Sequence, residues 1–126
     1  MRRFMVIGLG LLLSACAGMG SAPGKYLVFF QDWSANLGPE AQTTIDHAAS
    51  QAKAAPAGSV VVTGYADPAG SAQSNRDISS LRAEVVANAL VAAGVPVGRI
   101  QRRAAGSVGF ASDSQESRRV EIAIGG

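Results

Sequence analysis

Two stretches of helical periodicity, each preceded by a short β-branched or aromatic run, constrain this chain more than any other feature. In residues 39–55, Ala41, Ile45, Ala48, Ala49 and Ala52 recur at spacings of 4, 3, 1 and 3 and form an apolar stripe. Pro39 suits the first turn, where its missing N–H goes unused, and Glu40 favours the positive end of the helix dipole. Pro56 and Gly58 stop the helix. In residues 71–93, Ile78, Leu81, Val85, Ala89 and Ala92 recur at 3, 4, 4 and 3, and Val86 and Leu90 widen the predicted buried face. Gly94 follows as a left-handed cap residue, with Pro96 beyond it. KYLVFF (25–30) and SVVVTG (59–64) read as buried strands. Residues 99–104 form a weaker strand, 105–117 a Gly- and Ser-rich loop, and RRVEIAI (118–124) an alternating last strand. The order β-α-β-α-β-β predicts an α/β (α+β) two-layer sandwich with two helices on one face of a small mixed sheet.

Composition narrows the functions open to such a domain. Hydrophobic residues make up 48% and charged residues 16%, so the chain can bury a core and disorder is excluded. Apart from Arg2 and Arg3, nine basic residues balance nine acidic ones, leaving no global field to recruit nucleic acid. Arg99, Arg102 and Arg103 are expected on a solvated face. His47 stands without a metal-ligating neighbour at the required spacing, and no Gly-x-Ser-x-Gly elbow is present. The expectation is a protein that is not an enzyme and needs no cofactor or metal.

The N-terminal end carries an address. Met1-Arg2-Arg3 precedes a ten-residue apolar run, Phe4 to Leu13. As a helix that run spans about 15 Å, half of a bilayer's hydrocarbon core, which fits a secretory signal rather than a membrane span. Leu13-Ser14-Ala15-Cys16 resembles the bacterial lipobox, in which cysteine is acylated and the chain is cut before it. The resemblance implies residues 1–15 as signal peptide, Cys16 as lipidation site carrying diacylglycerol and an amide-linked palmitate-type chain, and residues 16–24 as a flexible tether. Ala17 in place of Asp points to the outer membrane, with the folded domain (25–126) facing the periplasm. From Ala17 onward the tether reaches about 26 Å at most.

A dozen positions in register then carry a second resemblance. Thr63-Gly64-Tyr65-Ala66-Asp67-x-x-Gly70, Asn75-x-x-Ile78-Ser79-x-x-Arg82-Ala83, and the closing Arg118-Arg119-Val120-Glu121-Ile122 are similar to the OmpA-like domain found in OmpA, Pal and MotB. The opening Phe29-Phe30 through Leu37-Gly38-Pro39-Glu40-Ala41 agrees with it. The resemblance implies non-covalent binding of peptidoglycan through the diaminopimelate of the stem peptide. Asp67 would meet the ammonium and Arg82 a carboxylate, matching the zwitterionic end of that residue. Gly70 would shape the turn, Asn75 brace it, and Arg118 and Asn36 contribute polar contacts. Ala66 and Ser117 depart from the family's usual Thr and Asn. The implied role is an outer-membrane lipoprotein tethering envelope to wall. The alternative is an envelope protein-interaction module with weak or no wall binding, motivated by the short tether. Trp33, in the first loop, is expected to cover the core edge, the alternative being that it lines the ligand groove.

Overall fold

The computed structural model describes residues 24–107 and 117–125. Cys16, the signal segment, most of the tether and most of the Gly/Ser-rich loop lie outside the described residues. The elements are β1 (Gly24–Phe29), α1 (Pro39–Ala54), β2 (Val60–Ala66), α2 (Ala72–Ala92), β3 (Ile100–Ser107) and β4 (Arg119–Ile124), with a 3₁₀ turn at Val97–Arg99. The four strands lie in the order β1-β4-β2-β3. Strand β4 runs antiparallel to both β1 and β2, and β2 runs parallel to β3. Strands β1, β2 and β3 therefore share one direction, and their carboxyl ends meet the start of β4 at one pole. Two helices pack on one face of this mixed sheet, as the order of elements predicts. Among the described residues no helix is long and apolar enough to cross a membrane.

The core is built from the inward positions of the strands and the inner stripes of the helices. Val28, Val60, Val62, Val120, Ile122 and Ile124 face Ile45, Ala48, Ala49, Ala52, Ala83, Val86 and Leu90. The stripe predicted for α1 is the one observed: Ala41, Ile45, Ala48, Ala49 and Ala52 are buried. The face predicted for α2 is observed only in part: Val86 and Leu90 are buried as expected, and Ile78, Val85 and Ala89 are half-buried. Leu81 is 46% exposed and Ala92 faces solvent, whereas Asn75, Ser79, Arg82, Ala83, Val86, Ala87 and Leu90 are buried. The cause lies in β2. A Cβ on Gly64 would come within 2.0 Å of the Ser79 carbonyl oxygen, so the helix sits directly on the strand at this residue. Such an approach selects small side chains at the contact, Ser79 and Ala83, and leaves Leu81 outside it.

The strand limits also shift. Strand β3 extends through Ala105 to Ser107, which the sequence reading assigned to loop. A bulge lets it continue: Gly64 pairs with Ala104 and Tyr65 with Gly106, so Ala105 is the extra residue. The Gly106 N–H then donates to Ser79 Oγ at 3.1 Å, tying the end of β3 to α2. Arg99 is not a solvated basic residue. It donates to the carbonyls of Ala52 and Gly58 at 2.7 Å and of Ala55 at 2.8 Å, pinning the turn where α1 ends.

Candidate functional site

Every residue of the site hangs from the pole where β1 and β2 end and β4 begins. After β1 the chain turns at 31–34, closed by a Ser34 N–H bond to the Gln31 carbonyl at 3.1 Å. After β2 it turns at Asp67–Gly70, and Ser71 caps α2 by accepting from the Ser74 N–H at 3.0 Å. The first three turns of α2 supply Asn75, Ile78 and Arg82. Ser117 and Arg118 lie just before β4.

Arg82 is the centre of this arrangement and is 1% exposed. Its Nε donates to the Ser34 carbonyl at 2.8 Å, Nη1 to Tyr65 at 3.1 Å and Nη2 to Gln31 at 3.0 Å. Its guanidinium also lies 5.3 Å from the centre of the Phe30 ring. One side chain on α2 thus fixes the ends of both β1 and β2. Burial pulls its pKa down, while the Asp67 carboxylate pulls it back up. The guanidinium has five N–H groups, and carbonyls take three, leaving two for another acceptor. Neither Asp77 nor Glu84, its potential helix ion-pair partners, engages it.

Asp67 is paired with Arg118 instead. Arg118 Nη1 stands 3.2 Å from Asp67 Oδ2 and 3.1 Å from Asp32 Oδ1, and its Nε donates to the Phe30 carbonyl at 3.0 Å. The Ser117 hydroxyl donates to the other Asp67 oxygen. Burial pushes the Asp67 carboxyl up. The hydrogen bonds from Ser117 and Arg118, with the Arg118 charge, outweigh that and hold it below the ordinary carboxylate range. Ser117, at the position where Asn is usual, therefore orients the carboxylate. Arg119 turns the other way, onto the open face of the sheet. It stacks 4.1 Å from the Tyr65 ring centre and lies 3.7 Å from Glu121.

Trp33, Ala66, Asp67, Asn75, Ile78, Arg82 and Arg118 enclose a cavity of about 10 Å³. Asn75 is 2% exposed, and its Oδ1 has no hydrogen-bond partner, the only buried side-chain polar atom in that state among the described residues. A buried acceptor without a donor is costly, and such atoms mark places where a missing group belongs. Four of the six residues expected from sequence, Asp67, Asn75, Arg82 and Arg118, are thus brought to one cavity. Gly70, at φ 89°, borders it through contact with Trp33 and Asn75. Asn36 is exposed and lies apart, in a groove of about 580 Å³ between β1 and the start of α1. Of the two placements expected for Trp33, the structure shows the alternative: it forms a wall of the cavity rather than covering the core edge, and is 55% exposed. No local pattern marks this, because its placement depends on a turn that Arg82 holds from a distant helix.

The model of the OmpA family matches residues 29–122. The chain is 36% identical over 89 residues to outer membrane protein A of Serratia odorifera, covering 69% of this chain and 37% of that protein. It is 35% identical over 103 residues to the probable lipoprotein YiaD of Escherichia coli, covering 77% and 47%. It is 35% identical over 119 residues to the peptidoglycan-binding protein ArfA of Mycobacterium tuberculosis, covering 86% and 36%. The chain spans less than half the length of these relatives. In structure it resembles the peptidoglycan-associated lipoprotein of Burkholderia pseudomallei, with a TM-score of 0.72 and 23% identity over 79% of this chain and 90% of that one. Fold, matched span and the register of residues from Phe29 to Ile122 together place the chain in the OmpA family.

Proposed function

We propose that this domain binds peptidoglycan, and that its cavity takes the zwitterionic end of diaminopimelate in the stem peptide. The observation carrying the reading is one half-buried carboxylate, one half-buried and one buried guanidinium group, and a buried unpartnered amide oxygen around one cavity. A carbon bearing both an ammonium and a carboxylate needs acceptors and donors at once. Asp67 and Asn75 Oδ1 supply the acceptors. Arg118 and the two remaining N–H groups of Arg82 supply the donors. The held-down Asp67 pKa keeps the carboxylate charged for an ammonium partner at neutral pH.

We further propose that Cys16 is acylated and seats the chain in the outer membrane. The reach of the tether then has support from the fold. The tether enters β1 at Gly24, and the site lies beyond the opposite end of this strand. Six residues of strand add about 20 Å between anchor and site. The domain thereby points its cavity away from the membrane. Incorporation of labelled palmitate, lost in Cys16→Ser, checks the anchor.

Retention on isolated sacculi tests the wall reading. Asp67→Asn should lose most retention while keeping the far-UV circular dichroism of the parent. Sacculi whose stems carry lysine, with the ammonium but not the carboxylate, should retain the parent poorly. Equal retention of Asp67→Asn and the parent would refute the reading. Arg82→Ala is a poor probe, since the same side chain holds two strand ends.

A further inference from the structure

The cavity as it stands has room for about one water molecule, at about 10 Å³. The head of a diaminopimelate residue is several times larger, so it enters this half-open pocket fully only if a wall moves. Most walls are fixed. Ala66 ends β2, and Asn75, Ile78 and Arg82 belong to α2. Arg82 is clamped by three carbonyls, and Asp67 and Arg118 hold each other. Trp33 differs from all of these. Its ring is more than half exposed and leans on Gly70, where an added Cβ would lie 2.8 Å from Trp33 Cη2.

The backbone beneath the ring shows an unusual cost. Trp33 has φ 49° and is the one non-glycine residue at positive φ among the described residues. It occupies the third position of the 31–34 turn, where glycine is favoured. The carbonyls on both sides, Gln31 and Ser34, are held by Arg82, so the turn keeps this conformation. A bulky ring at a glycine position, carried on a clamped backbone beside the cavity that the Asn75 Oδ1 faces without a partner, fits a ligand contact better than a packing role.

We propose that Trp33 is the movable wall of the site. Its ring leaves Gly70 to admit the diaminopimelate head, then closes over the aliphatic arm and ammonium of the ligand. The arm gains apolar cover, and the ammonium gains the negative face of the indole. The backbone of the turn stays in place, and the side-chain torsions of Trp33 carry the motion. This inference rests on the wall-binding reading and adds a specificity residue to it.

Trp33 is the sole tryptophan of the chain, so its emission reports the ring directly. The full chain in detergent micelles is titrated with meso-diaminopimelate, following emission and heat in parallel. A saturable emission change with the same midpoint as the heat is expected. Trp33→Ala and Trp33→Gly should each weaken binding about tenfold, mainly through faster dissociation, and Trp33→Phe should recover most of it. Trp33→Gly should not lower the thermal midpoint, because glycine relieves the positive φ. That result separates loss of a ligand contact from loss of fold. Heat of binding without an emission change, with Trp33→Gly binding within about twofold of the parent, overturns the inference and leaves the wall-binding reading intact. Absence of both heat and retention on sacculi overturns the two together.

Discussion

Replacing Arg82 by methionine tests whether this arginine is a structural clamp as well as a ligand group. Methionine keeps most of the apolar volume and removes the guanidinium. Three carbonyls lose a charged donor. The Gln31 carbonyl keeps the Ser34 N–H, while those of Ser34 and Tyr65 lose the donor that Arg82 supplied. An unsatisfied buried acceptor costs about 1–3 kcal/mol, so the two together cost about 4 kcal/mol. For a domain whose whole stability is about 5–15 kcal/mol, that is a large fraction. Urea unfolding at pH 7, followed by circular dichroism, should show the midpoint falling by roughly 2 M at unchanged slope. Arg82→Lys should fall between the parent and Arg82→Met, because an ammonium keeps the charge but cannot span three separate carbonyls. A loss below about 1 kcal/mol in Arg82→Met would refute the clamp and return Arg82 to a purely ligand-facing role.

Two further outcomes follow from the same coordinates. Asp67 has its folded pKa held below the ordinary value of about 3.9, so its contribution to stability is present above that pH and is lost as pH falls through the lower folded value. Acid titration of the parent and Asp67→Asn should therefore begin to converge as pH falls below about 4 and meet only below the lowered folded value, with diaminopimelate binding lost over the same range; a pH-independent difference would contradict the pairing with Ser117 and Arg118. Gly64→Ala places a Cβ 2.0 Å from the Ser79 carbonyl oxygen, so α2 must move off β2 at a cost of about 3 kcal/mol. A drop in Tm of roughly 12–24 °C is expected, and a change of under about 3 °C would mean the helix is not seated there.

How much of this was legible in the sequence differs by element. The strand-helix order and the α1 stripe follow from local periodicity, because α1 faces the sheet with alanines and one isoleucine whose spacing is unambiguous. Asp67, Asn75, Arg82 and Arg118 were legible as a set through their register with the OmpA family, although they span more than fifty residues of chain. The buried face of α2 was legible only in part, at Val86 and Leu90. Hydropathy ranks Leu81 above Ser79 and Arg82, yet the close approach at Gly64 admits small side chains and turns Leu81 outward.

The sequence by itself determined which segments become strands and helices and which charged residues are available to a site. That information is local, carried by periodicity, capping residues and motif spacing. Only the tertiary structure decided that Arg118 holds Asp67 and that Arg82 holds the carbonyls at two strand ends. It also decided that Trp33 stands over the cavity. Those contacts join residues 17 to 51 positions apart. They exist because β4 inserts between β1 and β2 and draws both strand ends to the same pole.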